Sequence, residues 1–387
     1  MAKGIYFGDQ NNIARKVKKL YFGDEANKAR KVKKVYFGDT NGIARICYSA
    51  GISKVNKTMN ISEAVGGRFT GASGACATVG DKIIVSMTKA TGKMDTFNTS
   101  LVKGSAPLPL IAVTNLSSWC ATQNPSYAIF AGGKHLTDRD GNPYLYGMSS
   151  VDCYNSSLAV TSAVSLEIGR YNIGTGNIGD YATFAGGVYD NGITYYGYIE
   201  AYNSSLAKAT SVKMDTRLSN PIGLNVPGYL LYSHGYNYYI NGVGNHIYAL
   251  NSTLVRSFRS ITRSINNTSS SAGASNKSYA VYMQGYNQPL DVVNASLVVS
   301  ELAIGTDGRF NACGISSDEL AIFAGGSIVG GLNKSDVITF NQNLVRSIID
   351  DKLSIARREL FSGKLGNYGF VIGGYNPYSD VVDIFEQ

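Results

Sequence analysis

Three histidines, His135, His234 and His246, are the first side chains to consider for catalysis or metal binding. A hydrolytic zinc site needs paired imidazoles at helical spacing or a Cys/His cluster. These three stand far apart, with no HExxH and no CxxC around them. Five cysteines (Cys47, Cys76, Cys120, Cys153, Cys313) are too sparse for a disulfide framework and read as reduced thiols. Asp138-Arg-Asp-Gly-Asn142 has calcium-loop character but lacks a distal glutamate, so a polar turn is expected. Sialidase-type Asp boxes are absent. No cofactor and no metal is expected, and the chain reads as not an enzyme.

The residue type that could recognise something is tyrosine, with 27 copies in 387 residues. Many fall in segments rich in Asn, Gly and Ser: 134–147, 188–197, 236–245, 286–289, 327–335 and 375–380. Rigid aromatics among small amides suit an adaptable binding surface. Sugar rings stack on such aromatics while amides bond their hydroxyls. The candidate ligand-binding residues are Tyr144, Tyr146, Tyr189, Tyr195, Tyr196, Tyr236, Tyr238, Tyr239, Tyr286, Tyr375 and Tyr378.

Positioning these tyrosines requires a frame, and the frame is repeated. One mark is N-x-S-L: NTSL at Asn98, NSSL at Asn155 and Asn203, NSTL at Asn251 and NASL at Asn294. Asn341 follows as NQNL, which is no glycosylation sequon, so the motif reads as a turn. Successive copies lie 57, 48, 48, 43 and 47 residues apart, and a truncated seventh unit ends the chain as VVDIFEQ. Upstream of each turn runs an apolar stretch that often closes in Gly-Gly, as in YAIFAGG (Tyr127–Gly133), YATFAGG (Tyr181–Gly187), LAIFAGG (Leu320–Gly326) and YGFVIGG (Tyr368–Gly374). A short run apolar on both faces fits a strand sandwiched between sheets. Arg170, Arg309 and Arg357 each stand 14 residues before the fourth residue of a run.

Each unit thus yields four antiparallel strands, the content of a propeller blade. The arginine, the apolar-Gly-Gly run and the Asn turn resemble the Kelch repeat family over roughly residues 53–387. The tryptophan usual in that family is missing from the units; Trp119 is the only one. The expectation is an all-β chain with a seven-bladed Kelch-like propeller over 52–387, closed by a strand from about 53–63 that resembles the fourth strand at 159–169. The tyrosine-rich segments then leave one face of the ring with the blade-to-blade connections, and the Asn turns leave the other.

Residues 1–51 carry a different repeat. YFGD begins at Tyr6, Tyr21 and Tyr36, each copy leading to ARKVKK or its variant ARICYS, with turn residues between. Three small hairpins are expected. The first 50 residues hold 11 Lys+Arg against 4 Asp+Glu, and the remaining 337 hold 24 against 23. The net charge of +8 therefore belongs almost wholly to the repeats. No aromatic ladder interleaves with the basic residues, so a nucleic-acid partner is not expected. The N-terminus shows no apolar signal region, and no stretch reaches the length of a membrane span.

The tandem YFGD…ARKVKK module resembles repeats in minor structural proteins of phages of Gram-positive bacteria. That resemblance implies a virion protein folded in the host cytoplasm. Residues 1–51 would attach to other virion proteins through Tyr6, Phe7, Tyr21, Phe22, Tyr36 and Phe37, and the propeller would bind a host-surface glycan or protein. Tail or baseplate placement and capsid decoration both remain open, as does assembly into a homo-oligomer. The competing expectation is a Kelch-type sugar-active enzyme.

Overall fold

A computed structural model gives the architecture. It describes residues 52–387 except 58, 66–73, 87–93, 111–115, 118, 140–141, 190–193, 238–241, 244–245, 261–271 and 286. Within 1–51 it describes six strands only. The chain divides into two compact units, Met1–Ser53 with Phe385–Gln387, and Lys54–Ile384.

In the first unit each YFGD copy pairs antiparallel with its ARK partner. Tyr6–Gly8 pairs with Ala14–Lys16, Tyr21–Gly23 with Ala29–Lys31, and Lys34–Gly38 with Ala44–Ser49. The repeat is therefore three successive two-stranded hairpins. The attachment residues Tyr6, Phe7, Tyr21, Phe22, Tyr36 and Phe37 all lie on the first strand of a hairpin.

The second unit is a seven-bladed β-propeller. Blade 1 runs Ala75–Val79, Lys82–Ser86, Met94–Asn98, Lys103–Ser105 as a simple meander. Blades 2 to 6 repeat that order and begin at Cys120–Gln123, Gly174–Ile178, Ile222–Val226, Ala272–Ser275 and Cys313–Ser316. Blade 7 contributes Phe361–Leu365, Tyr368–Ile372 and Ser379–Glu386. Its outer position is taken by Met59–Val65, which pairs antiparallel with Ser379–Glu386 through Val381↔Asn60 and Val382↔Met59. The first strands of neighbouring blades touch all the way round, the seventh against the first.

Close approach explains the small residues in those innermost strands. A Cβ on Gly223 would lie 2.1 Å from Thr175 O, and one on Gly314 would lie 1.9 Å from Gly273 O. Side chains then tie the inner strands of adjacent blades: Thr122 Oγ1 donates to Gly176 O, Asn225 Nδ2 to Asn177 O, and Ser362 Oγ to Gly314 O. The second strand of a blade is buried on both faces because the core lies in layers between blades. One such layer holds Ile83, Val85 and Phe97 of blade 1 against Phe370, Ile372 and Ile384 of blade 7, with Met59 and Ile61 of the closing strand.

The Asn turns are built on the asparagine side chain. Asn203 Oδ1 accepts from Ser205 N and Ala207 N, and Asn341 Oδ1 accepts from Asn343 N and Val345 N in the same way. The hydroxyl is dispensable, which is why the turn survives as NQNL. The leucine of each copy (Leu101, Leu158, Leu206, Leu254, Leu297, Leu344) sits at φ between 57° and 64°. The only helix among the described residues is a short 3₁₀ turn, Gly305–Asp307, and none is long and apolar enough to cross a membrane.

Candidate functional site

The face opposite the Asn turns is organised by arginines and glycine pairs. Gly186 and Gly187 have φ of 60° and 108°, a bend that only glycine adopts freely. Arg170, on the connection into blade 3, is fully buried. Its Nε donates to Gly186 O of its own blade at 2.8 Å, while its carbonyl accepts from Gly133 N of blade 2 at 3.0 Å. Arg357 does the same between blades 6 and 7, with Nε on Gly373 O and its carbonyl on Gly326 N. Arg309 reaches Gly325 O through Nη1. Arg170 and Arg357 thus each lock two successive glycine bends and Arg309 holds the bend of its own blade, so the segments that follow are presented from a fixed base.

A buried acid on the third strand completes the lock in blades 3 and 7, whereas Arg309 pairs with the part-exposed Asp336 just before its blade's third strand. Glu200 pairs with Arg170 Nη1 and Lys208 Nζ, both at 2.5 Å, and accepts from Glu167 N. Burial pushes its carboxyl up, but the Arg170 charge and the Lys208 hydrogen bond outweigh that and hold it below the usual carboxylate range. Asp383 has the same role in blade 7 with Arg357 at 3.0 Å and Lys54 at 2.6 Å. Each stands three positions before the turn position, as do Asp95, Asp152 and Asp291, all buried. That recurring acid was a readable signal in the sequence and was not used there.

His234 takes the place of the first glycine in blade 4 and keeps its positive φ of 61°. Its ring stacks on Tyr282 at 4.3 Å, and Nε2 lies 2.7 Å from Asp291 Oδ2 with Gln284 against both. A His–Asp pair is the geometry of a general base, but both side chains are fully buried, so no substrate reaches them as placed. His135 lies edge-on to Tyr146 at 5.6 Å, and His246 stacks near Tyr248 at 6.1 Å. Among the described residues no three His, Cys, Asp or Glu side chains come together as a metal site. Burial raises the Cys76 and Cys313 thiols to about 12, which leaves them unreactive.

The predicted tyrosines divide into several groups. Several of their segments are not plain loops but continue as β-ribbons: Lys134–Arg139 pairs with Asn142–Gly147, Val188–Tyr189 with Thr194–Tyr195, and Tyr236–Asn237 with Gly242–Val243. Tyr144, Tyr195 and Tyr236 lie on these ribbon strands. Tyr146 is exposed, Tyr189 half-buried. Tyr196 belongs to the frame: it is 5% exposed, its hydroxyl donates to Glu167 Oε2 at 2.7 Å, and Arg170 stacks on its ring at 4.2 Å. Its neighbour Tyr198, which the sequence reading passed over, is exposed instead, 5.3 Å from the Tyr196 ring. Tyr375 and Tyr378 come together edge-to-face at 5.0 Å, with Tyr378 half exposed to solvent. Tyr238, Tyr239 and Tyr286 lie outside the described residues. Among the described residues the structure gathers local pairs on separate blades, Tyr146 with His135, Tyr196 with Tyr198, and Tyr375 with Tyr378.

No family model matches the chain, and no curated protein matches it in sequence. Solved structures do share the fold. The structure of YjhT aligns with a TM-score of 0.54 at 10% identity, over 76% of this chain and 99% of that one. A selenomethionine-substituted virginiamycin B lyase from Staphylococcus aureus aligns at 0.55 and 11%, over 87% and 100%. A catalytically inactive variant of that lyase with quinupristin gives 0.56 and 10%, also over 87% and 100%. At such identity the likeness concerns the fold alone. It nevertheless corrects the expectation that this chain is not an enzyme. Lyases are found on this ring, so missing Asp boxes and missing histidine clusters do not exclude catalysis.

Proposed function

We propose that the chain is a structural protein of a phage particle that displays its propeller toward the host surface. The hairpin repeats of residues 1–51 would attach to other virion proteins, and the face bearing the ribbons would bind a glycan or protein. The observation that carries the reading is the division of labour on the ring. One face is six near-identical Asn turns, while the other presents ribbons of differing length with exposed Tyr146, Tyr198 and Tyr378. Uniform turns serve the frame; varied aromatic segments on a rigid base are how binding surfaces are built. Deleting residues 1–51 tests the attachment role: the expected result is particles that lack the protein while the truncated chain keeps its cooperative melt. Unchanged incorporation would sink it. Adsorption to cells by particles carrying Tyr146→Ala with Tyr378→Ala should fall, and normal adsorption would count against the binding face.

Catalysis on the same face is a second reading, favoured by the lyases among the similar structures. Incubating the purified chain with quinupristin and following its loss by mass spectrometry tests it directly. The buried His234–Asp291 pair is not the machinery such a reaction would use as it is now placed.

A further inference from the structure

Repetition inside one chain makes departures from the frame visible. After the locking arginine come an aromatic and an asparagine in two units, Arg170-Tyr171-Asn172 and Arg309-Phe310-Asn311. The last unit has Arg357-Arg358-Glu359 instead. The backbone is unchanged: Tyr171, Phe310 and Arg358 bridge to Val188, Ser327 and Tyr375, and Asn172, Asn311 and Glu359 have φ of 54°, 55° and 54°. Asparagine tolerates that left-handed conformation, whereas glutamate adopts it at a cost. Folding of the blade therefore does not call for the charged pair, since its siblings make the same bends without it.

The Arg358 guanidinium is also left open. Its side chain is 24% exposed and lies 5.5 Å from the Tyr375 ring. Its Nε is buried without a hydrogen-bond partner among the described residues, and Glu359 Oε1 lies 3.9 Å from that atom. Burial pushes the Glu359 carboxyl up, against the opposing pull of the Arg358 charge. Beside it stands the Tyr375–Tyr378 pair, with the exposed residues Asn376 and Pro377 between them. Asn333 Nδ2 donates to Asn376 O, tying in the preceding blade's loop.

We infer that Arg358, Tyr375 and Tyr378 form a subsite for a saccharide bearing an acidic substituent. The carboxylate or phosphate takes the guanidinium, which offers paired donors to two oxygens, and the sugar ring stacks on Tyr378. Tyr375 braces the Tyr378 ring edge-to-face, and the half-exposed Tyr378 offers an open surface on which the C–H face of a sugar can stack. The inference rests on the reading of this face as a binding surface and names the ligand class for one part of it.

Calorimetric titration of the full chain with glucose, glucuronic acid and glucose 6-phosphate tests it. At least one acidic sugar should bind about tenfold or more tightly than glucose, the size expected of a charge-assisted hydrogen bond. Which acid wins separates carboxylate from phosphate. Arg358→Tyr, which restores the sibling residue, should keep the melting temperature and abolish the preference, and Tyr378→Ala should weaken the acidic sugars. Equal binding of glucose and both acids, no binding of any, or a preference surviving in Arg358→Tyr would overturn the subsite. Competition by hexaglutamate as effective as the best sugar would overturn the saccharide assignment. Cell adsorption separates the two levels. Normal adsorption by Arg358→Tyr particles overturns the subsite's role alone, while normal adsorption by particles lacking the protein overturns the binding reading itself.

Discussion

Two residue positions show how repeated backbone geometry selects side chains. The turn asparagine works through one oxygen that gathers two main-chain N–H groups. Asn203→Ala should therefore cost about 1–2 kcal/mol in a denaturant melt, and Asn203→Asp, which keeps the acceptor, much less. The asparagine was legible in the sequence. The left-handed leucine beside it was not, because leucine is not a residue from which positive φ is inferred. Glu359 sits in the same region of backbone space at the start of blade 7. Glu359→Asn should raise stability by about 1 kcal/mol, read as a shift in thermal midpoint. The sign with pH follows from burial, which lifts the folded carboxyl above its unfolded value near 4.3. Its contribution to folding is present at low pH and lost as pH rises through the folded value. The advantage of asparagine should thus grow from pH 4 to pH 7.

Among the elements, the third strand of each blade does more than bury apolar surface. In blades 3 and 7 it carries a buried acid that holds the arginine of the same blade, as Asp383 does with Arg357 and Lys54. Removing the charge leaves two cations without a counter-ion in a buried setting. Asp383→Asn should destabilise the ring by about 3–5 kcal/mol in urea, and a loss under 1 kcal/mol would show the pair to be incidental. Burial alone would raise this carboxyl, but hydrogen bonds from Lys54 and Ser354 and the Arg357 charge bring it below its ordinary range. Stability from this group is therefore full above about pH 4 and falls away as pH drops toward the folded value. Acid melts of the variant should lack that part of the decline. Strand number and order were legible from the spacing of glycines and asparagines. The ribbons beyond the glycine pairs were not, because Tyr/Asn/Gly segments carry no two-residue alternation to mark them as strands.

For the ring as a molecule, the seventh blade is completed by chain from its beginning. Met59–Val65 covers the edge of Ser379–Glu386 and packs Met59 and Ile61 into the layer between blades 7 and 1. Without residues 52–65 that edge would be bare, and bare edges pair with other chains. Such a deletion should lose the single cooperative transition and elute from a sizing column as oligomers. A monomer with an unchanged melt would show that the closing strand is decorative. The arginine–glycine locks have a different consequence, for exchange rather than for stability. Because the ribbons of blades 2 and 3 begin after bends whose bonds run to the frame, their sequences are insulated from the blades that bear them. The ring is accordingly a display chassis with interchangeable inserts: replacing residues 189–195 by an unrelated hairpin of similar span should leave the thermal midpoint nearly unmoved while changing what the face adheres to.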